Sequence, residues 1–358
     1  MVNLSIKHSV VPDTWKVGVV SPIFKTGDKT DKHNYRPINI LPVVSKIIEK
    51  WVVKLLTEHL NRSHNPLHPM QFGFRTHHST EGAISVFLEK TKRFLDKNSC
   101  VGAVFLDLKK AFDTVDHKIL LTKLSHFNFS EKAINWMKSY LTNRMQCVVV
   151  NGVKSPYREC TVGVPQGSIL GPVLFSLYIN DLPDACRNTQ IQMYADDAVI
   201  YTPAKNIQEA GRILTSEMAQ VQNWLSKSCL LLNTKKTVCM MFSKQNKKTT
   251  NLHVFLRDVE LELVQEFKYL GVVLDSTLTF KSHVTKICKT IKFSLHNFRY
   301  IRSSMTLQAA RMFLHAMVFS HIEYCFTNWS LTNETTFRQI ESLYKKALKV
   351  FARKPVSY

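Results

Sequence analysis

Residues 191–201 read Ile-Gln-Met-Tyr-Ala-Asp-Asp-Ala-Val-Ile-Tyr, and the reading of this stretch decides the rest of the chain. Apolar residues alternate into it at Ile191 and Met193 and resume as Val199-Ile200-Tyr201, the pattern of two short strands joined by a turn at Ala195-Asp196-Asp197-Ala198. The turn sets two adjacent carboxylates at the tip of a hairpin. Asp-Asp is also ordinary turn chemistry, but two anions offered to one cleft repel unless cations sit between them. A divalent metal is the economical explanation.

A third carboxylate upstream points the same way. Val101 to Leu106 is a nearly continuous apolar run, hence a buried strand, and it ends on Asp107. Desolvation neutralises a carboxylate in such a place unless it meets a cation or several donors, so Asp107 invites the same metal as the hairpin pair. Just beyond it, Asp113 and Asp116 read as helix caps rather than catalytic groups. Between Asp107 and the hairpin, Gly163, Gly167 and Gly171 with Pro165 and Pro172 build a rigid loop leading into an apolar helix. Such a loop lets backbone come close to a flat or phosphorylated ligand.

Working outward, Val17–Phe24 reads as a strand and Pro42 as a helix start, after which Val43, Ile47, Ile48, Trp51, Val52 and Leu55 recur at helical spacing. Lys25 and Arg36 flank the intervening loop, either as solvated charges or as cations that grip phosphate. Gly73 between Phe72 and Phe74 suggests a close backbone approach, and Ser79-Thr80-Glu81 opens another helix. His77-His78 has no third ligand nearby and reads as polar loop. Asn151-Gly152 marks a hairpin turn. Ile207–Leu232 has the character of an amphipathic helix, Val238–Phe242 that of a strand, and residues 243–251 that of a polar turn. Phe267–Leu274 reads as one strand with Gly271 inside it. From Ser276 the pattern is helical, over Lys281–Tyr300, Met305–Ser320 and Glu334–Phe351.

Composition limits the partners. The 358 residues carry a formal charge of +21, of which the region from Ser276, with 13 Lys+Arg and 3 Asp+Glu, supplies +10. A polyanion is the natural partner for such a chain. No apolar run approaches the ~18 residues of a membrane span, and the amino terminus lacks a secretory signal, which places the protein in the nucleus or cytoplasm, not outside the cell. The eight cysteines are scattered without C-x-x-C pairs, so neither zinc nor a disulfide framework is indicated.

Taken together, FLDLKKAFDTVDH, GVPQGSILGP, YADD, LNTKKT and FKYLGVVLD, with NYRPINILPVVSKIIEK and QFGFRTHHST upstream, resemble the ordered motifs of a non-LTR retrotransposon (LINE-type) reverse transcriptase. Five motifs in the right order are specific where any one is weak. The resemblance implies an α+β right-hand polymerase, with fingers at 1–98, a palm of antiparallel sheet at 99–275 with helices shared at 117–145, and a helical thumb at 276–358. It also implies that Asp107, Asp196 and Asp197, with the carbonyl of Leu108, hold two Mg²⁺ ions, with Mn²⁺ a possible substitute. By the same resemblance Phe112 sits against the sugar and excludes a ribose 2′-hydroxyl, and Gln166 and Gly167 line the nucleotide and template pocket. Lys25 and Arg36 then act on the triphosphate, and Lys236, beside Lys235, donates a proton to pyrophosphate. The expected partners are an RNA template, a DNA primer and dNTPs, with an endonuclease not encoded in this chain. Two other readings are a catalytically inactive nucleic-acid-binding protein from a decayed element, against which the unbroken acidic residues argue, and an RNA-dependent RNA polymerase, which shares the paired Asp but not the full motif set.

Overall fold

A computed structural model describes residues 2–63, 66–97, 100–244 and 252–353. The chain forms two units, one of residues 1–76, 106–198 and 216–237, the other of residues 77–105, 199–215 and 238–358. The principal strands are β1 (Val17–Phe24), β2 (Tyr35–Ile40), β3 (Cys100–Leu106), β4 (Arg144–Val150), β5 (Val153–Lys154), β6 (Arg158–Cys160), β7 (Gln190–Tyr194), β8 (Asp197–Ala204) and β9 (Val238–Phe242).

In the first unit the order is β2-β1-β4-β5, with β6 also on β4. β1 and β2 are antiparallel with Ile23 opposite Arg36, whereas β1 and β4 are parallel. β4 returns as β5 through Asn151-Gly152, the turn that this dipeptide favours. The helix Val43–Arg62 begins after Pro42, but its expected apolar face divides. Ile48, Val52, Leu56 and Leu60 are buried, while Val43, Ile47, Trp51 and Leu55 form an exposed ridge. The helix is turned this way by Glu49, which is fully buried. Its carboxylate accepts from Ser45 Oγ at 2.9 Å, Tyr140 OH at 3.1 Å and the Ile169 amide at 2.6 Å. A buried carboxylate must be met by donors, and with that face inward the other ridge faces solvent. The helix Gly171–Tyr178 is apolar nearly all round, and seven of its residues are buried.

The helix Ile207–Lys227 stops short of the expected Leu232. Cys229 takes a left-handed φ of 50°, and Leu232 leaves to form an antiparallel bridge with Leu108. Asp116 caps the helix His117–Ser125 as expected, accepting from the Ile119 amide at 2.9 Å. Asp113 is no cap: it lies in a 3₁₀ turn and accepts from Gln166 Nε2 at 2.9 Å.

In the second unit β3 lies between β8 and β9, and every residue of β3 is buried. β3 and β9 are antiparallel, from Val101 opposite Phe242 to Phe105 opposite Val238. The two-residue strand Glu262–Leu263 adds to β9 in parallel, so the sheet is mixed rather than purely antiparallel. Phe87, Phe105, Tyr201, Phe242, Tyr269 and Phe298 share one apolar core. The region 267–274 is not one strand but a hairpin, Glu266–Tyr269 against Val272–Asp275, turning at Leu270-Gly271. Tyr324 OH donates to the Leu270 carbonyl at 2.7 Å across that turn. The long helices Lys281–Ile301 and Glu334–Phe351 form as expected, whereas a π-turn at His315–Phe319 interrupts the helix expected over 305–320. Residues 245–251 of the expected polar turn lie outside the described residues. All eight cysteines are free thiols. Among the described residues no helix is long and apolar enough to cross a membrane.

Candidate active site

Asp107 is the first residue past β3, and a short segment before β9 holds it on three sides. The Asn233 amide donates to the Asp107 carbonyl at 2.7 Å, and Asn233 Nδ2 donates to Asp107 Oδ2 at 2.8 Å. Thr237 Oγ1 accepts from the Asp107 amide at 3.3 Å. The Lys109 amide bonds to the Leu231 carbonyl at 2.7 Å beside the Leu108–Leu232 bridge, so the two segments form a brief ladder.

The acidic turn is held differently. β7 ends at Tyr194 and β8 begins at Asp197, so the turn is only Ala195-Asp196, tighter than the four residues expected. Ala195 takes a left-handed φ of 56°. Beside it, Gln71 forms an isolated parallel bridge with Met193, with the Phe72 amide on the Met193 carbonyl at 2.8 Å and the Met193 amide on the Met70 carbonyl at 2.9 Å. Gln71, fully buried, accepts through Oε1 from the Gly73 amide at 2.9 Å and the Ala195 amide at 3.2 Å. A Cβ on Gly73 would lie 2.3 Å from the Ala195 nitrogen, which is the close approach expected of this glycine.

Electrostatics ties these pieces together. Lost hydration raises the pKa of Asp196, the charge of Asp107 raises it further, and Arg36 and Lys25 oppose the rise. Asp197 is pushed up to about 6, first by burial, then by Asp196 and Asp107, against the pull of Lys25 and Arg36. Asp197 is the more exposed of the two turn carboxylates. The three carboxylates and both flanking cations therefore lie in one field, although up to 172 positions separate Lys25 from Asp197.

The remaining expected residues fall around this cluster. Phe112 is half-buried, stacked on Phe175 with centroids 4.5 Å apart and edge-on to Phe74. Gln166 and Asp113 line a cleft of about 370 Å³ with Lys16, Lys110 and Arg144. Burial raises the pKa of Asp113 against its bond from Gln166. Gly167, with φ +113°, lies against the Asn39 carbonyl, which a Cβ would approach to 2.4 Å. Lys235 and Lys236 are exposed, and the Lys236 amide bonds back to the Asn233 carbonyl at 3.1 Å. The sequence alone does not single out Asn233, Thr237 or Gln71. The signal for Asn233 lies inside LNTKKT, as the residue that begins the lysine-bearing turn.

Among the described residues no group of three or more His, Cys, Asp or Glu side chains is placed so that it could hold a metal ion. In donor chemistry, though, the acidic cluster suits a hard divalent cation. Its donors are all oxygen, its carboxylates disfavour one another's charge, and Mg²⁺ commonly takes only one or two carboxylates, completing its shell with water and substrate phosphates.

The mixed sheet, its flanking helices and the acidic hairpin define a right-hand polymerase fold. Telomerase of Candida tropicalis, solved in complex with a fragment of telomeric RNA, superposes with a TM-score of 0.54 over 98% of this chain and 61% of that one, at 14% identity. Residues 25–274 match the family model described as reverse transcriptase (RNA-dependent DNA polymerase). The chain belongs to the reverse transcriptase family. It is 32% identical over 285 residues to the RNA-directed DNA polymerase from mobile element jockey of Drosophila melanogaster, covering 77% of this chain and 31% of that protein. It is 29% identical over 367 residues to the probable RNA-directed DNA polymerase from transposon BS of the same species, covering 99% of this chain and 40% of that protein. The chain thus spans two-fifths or less of the length of these two relatives.

Proposed function

We propose that this chain is an RNA-directed DNA polymerase, which extends a DNA primer along an RNA template by transferring nucleotidyl groups from dNTPs. The observation that supports this best is the electrostatic coupling of Asp107, Asp196 and Asp197, opposed by the charges of Lys25 and Arg36. In this reading 1–98 are fingers, 99–275 palm with helices shared at 117–145, and 276–358 thumb.

Asp107, Asp196 and Asp197, with the Leu108 carbonyl, would hold two Mg²⁺ ions, or Mn²⁺ in their place, which when bound lower the pKa of the primer 3′-hydroxyl and neutralise the leaving pyrophosphate. Lys25 and Arg36 meet the triphosphate oxygens, where charge builds up during transfer. Gln166 and Gly167 line the pocket for the template and incoming base, and Phe112, its ring braced by Phe175, blocks a 2′-hydroxyl. Lys236, exposed at the edge of its turn, supplies the proton to pyrophosphate. The basic helices after Ser276 hold the duplex through its phosphates, so binding weakens as salt rises. The protein works in the nucleus or cytoplasm.

The test is extension of a DNA primer on an RNA template with Mg²⁺ and dNTPs. Wild type extends, and Asp196→Asn loses about 10³-fold or more, since cation-stabilised charge is worth several kcal/mol, while binding the duplex normally. Duplex binding without extension by wild type identifies a binding protein instead, and preferential use of ribonucleotides identifies an RNA polymerase.

A further inference from the structure

We infer that Asn233 is a positioning residue that fixes the Asp107 carboxylate for cation binding. The inference rests on the polymerase reading above and assigns to the LNTKKT segment a task separate from proton donation.

Three features support it. Asn233 is bonded to Asp107 twice, by its backbone amide to the carbonyl and by Nδ2 to Oδ2, so the side chain is fixed relative to the backbone that carries it. Only the amide nitrogen of an Asn side chain can donate to a carboxylate, which sets the amide's orientation. The bond engages Oδ2 and leaves Oδ1 for a cation. Secondly, the donor is neutral. A Lys or Arg at this point would orient the same oxygen but would add a positive charge beside the site and compete with the metal, whereas an amide orients without cost to the field. Thirdly, the Asn233 carbonyl accepts from the amides of Lys236 and Thr237, and Thr237 Oγ1 in turn accepts from the Asp107 amide at 3.3 Å. The residue that holds the carboxylate is itself locked by the turn it begins. Groups that orient a ligand from behind commonly change metal affinity by about 10 to 100-fold when removed.

The experiment measures Mn²⁺ binding to the metal-free full chain by electron paramagnetic resonance, without nucleic acid, beside the Mg²⁺ concentration for half-maximal primer extension. Asn233→Ala keeps the backbone bond to the Asp107 carbonyl and removes only the side-chain one; Asn233→Ser is a second variant whose hydroxyl cannot reach. The expected result in both is a Mn²⁺ dissociation constant raised by about 10-fold or more, a matching rise in the Mg²⁺ requirement, and extension that recovers towards wild type at saturating Mg²⁺. Mn²⁺ affinity within twofold of wild type overturns the inference, and so does loss of folding in both variants, since the role is then in stability. Asp107→Asn separates the two levels. If it loses Mn²⁺ binding that wild type shows, the polymerase reading stands and the Asn233 variants decide alone; if it binds Mn²⁺ as wild type does, both are overturned.

Discussion

The two halves of the acidic cluster are held by different means. Asp107 is fixed through its side chain as well as its backbone, by an Asn233 side-chain amide that reaches its carboxylate, whereas the turn that bears Asp196 and Asp197 is held through its backbone. Gln71 and Gly73 touch only main-chain atoms of that turn. The difference follows from the local chain. A residue just past a strand end has a free side-chain rotor and needs a partner for it, while a two-residue turn leaves little freedom beyond the left-handed Ala195 that must be kept in place. Substitutions on the two sides are therefore expected to fail differently: a loss of carboxylate orientation at Asp107, and a displacement of the whole turn at Asp196.

The largest effect falls on the turn. Gly73→Ala places a methyl 2.3 Å from the Ala195 nitrogen, and backbone cannot yield as a side-chain tip can. A shift of about 1 Å in the turn is expected to cost about 100-fold in extension rate, and supplying more Mg²⁺ does not restore it; full activity in this variant breaks the distinction. Gln71→Leu comes next. It deprives the Gly73 and Ala195 amides of their acceptor, with an expected stability loss of about 2 kcal/mol by chemical denaturation, where a change below about 0.5 kcal/mol removes Gln71 from the account. On the Asp107 side, Phe112→Ala opens the space beside Phe175 and is expected to raise ribonucleotide incorporation by about 10-fold. Unchanged sugar selectivity returns Phe112 to the apolar packing.

The smallest effect is on stability against pH. The pKa of Asp197 in the folded chain is about 6, above its ordinary 3.8, so folding favours its protonated form. This contribution is complete below the unfolded value and is lost as pH rises through about 6. Metal-free melting temperatures are expected to fall between pH 4 and pH 7 less steeply in Asp197→Asn than in wild type; equal slopes contradict the assignment of the shift.

Much of the fold was legible because the governing signals are local. The buried run before Asp107, the Asn151-Gly152 turn and the helix Glu334–Phe351 each follow from a few neighbouring residues. The hairpin at 266–275 was not legible, because apolar alternation continues through Leu270 and masks the turn. Nor was the orientation of the helix Val43–Arg62: its apolar residues are spread over more than one face, and the choice is made by Glu49 bonding to Ile169, 120 positions away. The site divides in the same way. Its carboxylates carry a recognisable motif, but the groups that hold them, Asn233 for Asp107 and Gln71 for Ala195, act across 126 and 124 positions and leave no local period.

The central claim is that residues 107, 196 and 197 share one divalent-cation pocket, and replacing Mg²⁺ with Fe²⁺ tests it most directly. With ascorbate and peroxide, Fe²⁺ seated there generates hydroxyl radicals that cut nearby backbone. The account predicts cuts beside Asp107 and beside Asp196-Asp197 in the same preparation, suppressed together by Mg²⁺ and reduced together in Asp107→Asn. Cuts confined to one of the two segments, or cuts that Mg²⁺ does not suppress, would contradict it.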